Sequence, residues 1–247
     1  MTKRIEQEGF ASIDDLARHF QVTPQTIRRD INHLCVQGIL RRYHGGAGLA
    51  RGSAGVDYVR GKSRRSQAKR RIAKLVASHI PDNASLFISI GTTTEAVASA
   101  LLGHRNLRVI TNNLNVAQML SDNSSFEVIV AGGAVRARDK CITGQPAIDL
   151  IDQFRVDFGI IGISAIDEEG SLLDMDYHAV RVAQAIIKNS RDTLLVADSS
   201  KYGRKAMVRL GFISQVSTWF TDETPPQTLS DVLADNGVEV KYPGGER

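Results

Sequence analysis

The sequence predicts an α/β chain in two parts: a small N-terminal winged helix-turn-helix and a larger α/β domain behind it. Three observations predict this. Residues 1–48 hold a helix, a tight turn, a second capped helix and a glycine-rich hairpin. Beyond residue 80, apolar runs alternate with helical patterns, as parallel strands joined by helical crossovers do. Charge also changes sign along the chain. Residues 1–80 carry 16 Lys/Arg against 6 Asp/Glu, and residues 81–247 carry a net of −6 within an overall +4.

The elements follow in order. Ser12 and Asp15 form a capping box for a helix reaching Phe20, with Ile13, Leu16, Ala17 and Phe20 on one face. After a turn at Gln21-Val22, Thr23 caps a second helix, Pro24–Gln37, which Pro24 opens and Gly38 stops. Ile27, Ile31 and Leu34 are its buried stripe. Ile39–Tyr43 is a strand, and His44–Gly48 supplies a turn. Residues 49–65, rich in Gly, Ser and Arg, are an expected linker to a domain at 66–247. A helix is expected from Gln67 to Ile80, striped by Ile72, Leu75, Val76 and His79. Strands are then expected at Ser85–Ile90, Leu107–Thr111, Phe126–Ala131, Val156–Gly162, Thr193–Ala197, Val216–Thr221 and Val238–Tyr242. Helices fall at Thr93–Leu102, Asn113–Leu120, Tyr177–Asn189 and Thr228–Asp235. Continuous runs such as FGIIGI suit strands buried on both faces.

Composition narrows the function classes. With 42% hydrophobic and 23% charged residues, the chain has the makings of a folded core. No run of 18 uncharged apolar residues is present, and Met1–Phe10 lacks a signal core, so a cytoplasmic setting is expected. Cys35 and Cys141 suit neither a disulfide framework nor a metal site. No metal and no cofactor is expected. From Ile31 to Pro81 the only acid is Asp57 against eleven Lys/Arg. Such a front fits a polyanion, most often nucleic acid, or a merely solvated basic face.

On the second helix, Gln25, Thr26, Arg28 and Arg29 lie in the first two turns, behind the capping Thr23. That end reaches base edges in helix-turn-helix docking, where Arg suits guanine and Gln suits adenine. Arg41, Arg42 and His44 on the wing suit backbone or minor-groove contact. An ordinary exposed helix is the bland alternative. In the larger part, a strand delivers Gly91-Thr92-Thr93-Thr94 to a helix N-terminus, an anion site in principle. Simple helix capping explains the same residues. Further polar residues close other predicted strands: Asn112, Gly133 with Arg136, Asp167, and Lys201. In an open α/β sheet such ends converge on a ligand, although each residue alone also suits a turn or a cap.

VTPQTIRRDINHL followed by GILRRYHGG resembles the DeoR family of bacterial repressors. IGTTTEAVA, TNNLNVAQ, DFGIIGISAID, GSLLDMDYHAVR and ADSSKYGRKAMV extend that likeness to nearly the whole chain. The resemblance implies a repressor that binds double-stranded operator DNA as a homo-oligomer, through a winged helix-turn-helix. It implies a C-terminal sensor domain similar to the ribose-5-phosphate isomerase fold. It places an effector phosphate at Gly91–Thr94, with Asn112 and Lys201 nearby, and points to sn-glycerol 3-phosphate or a similar phosphorylated polyol or sugar. The family has a full helix before the equivalent of Gly9, where this chain has Met1–Glu8. The isomerase likeness raises an enzyme reading, for which Asp167 with Lys201 are the outline groups; Asp174, Asp176 and His178 are further titratable groups, although Asp174 and Asp176 also suit capping of the helix that follows. The usual catalytic glutamate has no clear match, no catalytic residue is assigned, and fold alone does not carry activity. A DNA-binding module that senses nothing is the third class.

Overall fold

The computed structural model describes residues 1–2, 4–5, 10–43, 45–49 and 65–246. The chain divides into two compact units, Met1–Arg60 and Gly61–Arg247.

In the first unit, Thr2, Arg4 and Ile5 are helical, and Ile5 is fully buried among Leu16, Ile27 and Ile31. The short segment before residue 9 therefore contributes to the core. β1 (Phe10–Ser12) leads into α1 (Ile13–Phe20), whose amide at Asp15 donates to the capping hydroxyl of Ser12. α2 (Pro24–Val36) is capped by Thr23 in the same way. It closes in a Schellman arrangement: Gly38, at φ +69°, donates its amide to Cys35, and Ile39 donates to Leu34. β2 (Leu40–Tyr43) and β3 (Gly46–Leu49) form the wing. The sequence places Gly46–Gly48 in the turn; they are strand instead. Their register is fixed on both sides, because β1 adds a third strand to β3. Leu49 belongs to this sheet. His44 and most of the expected linker, residues 50–64, lie outside the described residues.

The second unit opens with α3 (Ser66–His79). A parallel sheet follows, built from β4 (Ser85–Ile88), β5 (Arg108–Thr111), β6 (Glu127–Val130), β9 (Val156–Ile161), β12 (Ser190–Val196), β14 (Thr218–Phe220) and β15 (Glu239–Tyr242), with antiparallel β16 (Gly245–Glu246) at one edge. The spatial order is β16-β15-β14-β12-β9-β4-β5-β6. Neighbouring residues on a strand point to opposite faces. Leu86, Ile88, Ile160 and Leu194 accordingly enter one core, and Phe87, Ile161 and Leu195 the other. The helices α4 (Thr92–Ala100), α5 (Leu114–Ser121), α6 (Gln145–Ile151), α7 (Tyr177–Lys188) and α8 (Gln227–Asp235) connect and cover them.

Two small antiparallel additions were not legible as strands. One is the hairpin β7 (Ala134–Arg136) and β8 (Cys141–Thr143); the other joins β10 (Ala165–Ile166), β11 (Ser171–Asp174) and β13 (Val208–Phe212). The chain runs β4, β5, β6 outward on one side, then returns to β9 on the other side of β4. The switch point of the sheet therefore lies between β4 and β9. Ligands bind beyond the carboxyl ends of strands at such a point.

Candidate functional site

Two sites take shape, one in each unit. In the first, α2 presents one polar face. Thr23, Gln25, Thr26, Arg28, Arg29, Asn32 and Arg42, with Asp30, line a concavity of about 570 Å³. Ile27 and Ile31 turn the other way, into the core, and fix which side faces out. The Thr23 hydroxyl is committed to the cap: it accepts from the Thr26 amide at 3.2 Å and meets the Thr26 hydroxyl at 3.0 Å. Thr23 thus sets the helix start, and Gln25, Arg28 and Arg29 are left exposed for contact. Arg42 reaches from the wing to Asn32 Oδ1 at 3.3 Å, so wing and helix form one continuous basic surface. Arg41 is on strand β2.

In the second unit, the loop after β4 arrives at the switch point. Gly91 has φ +139°, a conformation that L side chains rarely adopt, and it is the N-cap of α4. The first amides of a helix have no intrahelical acceptor, and the dipole adds partial positive charge there. Thr94 Oγ1 donates to the Gly91 carbonyl at 2.8 Å, so this hydroxyl braces the turn. Gly162, after β9, lies against the same loop. A Cβ there would come within 3.7 Å of the Ile90 carbonyl and 3.8 Å of Thr94.

Lys69 on α3 was not singled out from sequence. It is buried, and its ammonium donates to Thr92 Oγ1 at 2.7 Å. A buried ammonium aimed at a helix N-terminus adds positive charge to positive charge, an arrangement that suits an anion. Glu95 is also buried and accepts from Asn113 (3.3 Å) and Asn115 (3.0 Å), tying the loop's helix to the end of β5. Next to it, Asn112 donates to the Ile142 carbonyl at 3.1 Å, while its buried Oδ1 has no partner among the described residues. That oxygen is free to accept from a ligand hydroxyl.

The other sequence candidates have definite local partners. Arg136 forms a two-pronged bridge to Asp139 (2.9 and 2.7 Å) and meets Asp176 at 2.7 Å. Burial opposes its charge, but the hydrogen bond to Asp139 and the nearby carboxylates outweigh it and hold the guanidinium above its usual range. These two carboxylates, which Arg138 shares at 3.9 Å (Asp139) and 3.0 Å (Asp176), pair with this cation, so it works as a strut between β7 and the start of α7. Gly133, at φ +136°, lets β7 pass over β8, because a Cβ would stand 2.5 Å from the Thr143 carbonyl. Asp167 accepts from the amides of Ser171 (2.7 Å) and Glu169 (3.1 Å) and shapes the β10–β11 turn.

Lys201 closes the short turn Ser199–Lys201 after β12. Asp174 is near it: burial pushes that carboxyl above its ordinary range, against hydrogen bonds and the Lys201 charge. Burial likewise pushes the Cys141 thiol up to about 12, which keeps it protonated and no nucleophile at neutral pH. Among the described residues, no cluster of His, Cys, Asp or Glu could hold a metal, and no helix is long and apolar enough to cross a membrane.

Known proteins resemble this chain over nearly its whole length. A model of the DeoR-like helix-turn-helix domain matches residues 1–52, and one of the DeoR C-terminal sensor domain matches residues 64–223. The chain is 50% identical to the glycerol-3-phosphate regulon repressor of Escherichia coli over 96% of this chain and 94% of that protein. It is 53% identical to the one of Haemophilus influenzae, over 90% and 87%. The HTH-type transcriptional repressor CsqR of Escherichia coli is 41% identical, over 97% and 92%. Among solved structures, ribose 5-phosphate isomerase A from Neisseria gonorrhoeae is similar over 56% of this chain and 53% of that one, with 16% identity and a TM-score of 0.42.

Proposed function

The chain belongs to the DeoR family, as a DNA-binding repressor with a ligand-sensing domain, and from that premise we propose that sn-glycerol 3-phosphate is the effector that releases it from operator DNA. The observation that carries the proposal is the Gly91–Thr94 turn at the switch point, with the buried Lys69 ammonium on Thr92. The phosphate sits on the amides of Thr92 and Thr93 with Lys69 as counter-charge, and Lys201 approaches from β12. Asn112 Oδ1 takes a polyol hydroxyl. The relatives' regulon names support glycerol 3-phosphate over other sugar phosphates, since the loop itself reads only the phosphate.

Gln25, Thr26, Arg28 and Arg29 enter the major groove, and Arg41 and Arg42 follow the flanking backbone. A cytoplasmic homo-oligomer presents two or more such heads to one operator. The effector must bind the released arrangement more tightly than the DNA-bound one, or nothing is released. Calorimetry on the full chain tests the effector. Saturable binding of sn-glycerol 3-phosphate, with glycerol and inorganic phosphate much weaker, is expected. Silence across all the common sugar phosphates would leave an oligomerising body that senses nothing.

A second reading, a sugar-phosphate isomerase, draws on Asp174. A carboxyl raised by burial beside a lysine is what proton abstraction next to a carbonyl needs. The relatives are repressors, so catalysis is the less supported reading. Turnover of pentose or hexose phosphates well above background would revive it.

A further inference from the structure

We propose that Arg65 is a positioning residue that ties the effector site to the segment leading to the DNA-binding unit. The inference rests on the effector site proposed above. Arg65 precedes α3 and takes φ +52° and ψ +34°, the left-handed region. Ser12, Thr23, Asn113 and Asp176 occupy the same position at other helices, and all are extended with a side-chain cap. Arg65 caps nothing with its side chain. A non-glycine residue in this region is disfavoured unless its surroundings hold it there.

The surroundings that hold it are two carboxylates. Arg65 Nη1 donates to Asp222 Oδ2 at 3.3 Å and to Ser199 Oγ at 2.5 Å, and lies 3.8 Å from Asp198 Oδ1. Asp198 and Asp222 are buried at the ends of β12 and β14. Asp222 has one oxygen on Arg65, and the other accepts from the Ser199 amide at 2.7 Å. Asp198 accepts from the Ser200 amide at 3.0 Å. The turn that carries Lys201 and the guanidinium of Arg65 therefore share the same two carboxylates. An anion that draws Lys201 inward shifts this turn, and the carboxylates pass the shift to Arg65. Arg65 lies four residues after Gly61, where the sensor unit begins, so the shift is delivered close to the chain's entry into that unit.

The test uses the full chain and a duplex selected from random DNA by the wild-type protein. Arg65→Met combined with Asp222→Asn removes charge from both partners and avoids an unpaired buried carboxylate at Asp222. Effector-free DNA affinity is expected to stay within about threefold of wild type. The fall in DNA affinity caused by saturating sn-glycerol 3-phosphate should shrink at least fivefold. A purely structural role would not move that ratio. Arg65→Lys keeps the charge that Nη1 brings to Ser199 and Asp222 and should recover part of it; where the pair does not fold, Arg65→Gln alone decides. A wild-type ratio in the folded variant overturns the role of Arg65. If sn-glycerol 3-phosphate does not release the wild-type protein either, the effector reading and this proposal fall together.

Discussion

Arg28 and Arg29 are exposed on a helix whose other face is locked by Ile27 and Ile31. Replacing either with Ala should weaken operator binding by roughly 1–3 kcal/mol, the value of a bidentate base contact. Unchanged anisotropy titrations in both variants would contradict the recognition assignment. Lys69→Met should cost effector affinity about tenfold or more, given ~1.5–3 kcal/mol for a hydrogen bond to a charged group, while operator affinity holds. Lys69 is hard to see in the sequence because it sits among Arg70, Arg71 and Lys74 and looks like one more solvated cation. Its signal is positional: it stands three before Ile72 and seven before Val76, on the buried stripe. Arg136 misleads the other way. It is a cation at a predicted strand end, yet two acids, Asp139 and Asp176, hold it. His79 gives a pH prediction. Burial among Phe158 and Phe220, then the Lys241 ammonium, lower its pKa, with Glu239 and Asp192 opposing. The unfolded chain then takes up the proton more readily. Stability from this site is complete above pH 6.5 and falls as pH drops below it toward the folded value. Denaturant midpoints for His79→Gln should show a flatter decline below pH 6.5 than wild type, and an unaltered slope would remove His79 as the cause.

At the scale of elements, caps and glycines explain where segments start and stop. Ser12, Thr23 and Gly38 were legible because short-range hydrogen bonds decide them. The parallel strands were legible because burial on both faces leaves continuous apolar runs. β7, β8, β10, β11 and β13 were not, since they are two to five residues long and owe their pairing to distant partners. β1 escaped for the same reason. The site was half legible. The Gly91–Thr94 loop announces itself locally, whereas Lys69 and Arg65 reach their partners only through tertiary packing. Two glycines separate backbone conformation from close approach. Gly38 has open space where a Cβ would stand, so Gly38→Ala should cost only the left-handed penalty, about 1–2 kcal/mol. Gly133→Ala adds a clash with the Thr143 carbonyl and should cost clearly more. Equal losses in chemical denaturation would show that the β7–β8 hairpin yields without resistance.

At the scale of the whole molecule, charge is unevenly distributed along the chain. The basic 1–80 stretch includes both the DNA-reading unit and Lys69, while Lys201 lies in the remainder, whose net charge is −6. Counterion release makes phosphate-dominated DNA binding fall steeply with salt. On the proposed reading, a metabolite phosphate at Gly91–Thr94 weakens DNA binding by α2. The direct measurement is the affinity of the full chain for its selected duplex, at fixed ionic strength, with and without saturating sn-glycerol 3-phosphate. A coupling of about 1–3 kcal/mol predicts a fall of roughly 5- to 150-fold. An affinity that does not change would contradict the claim.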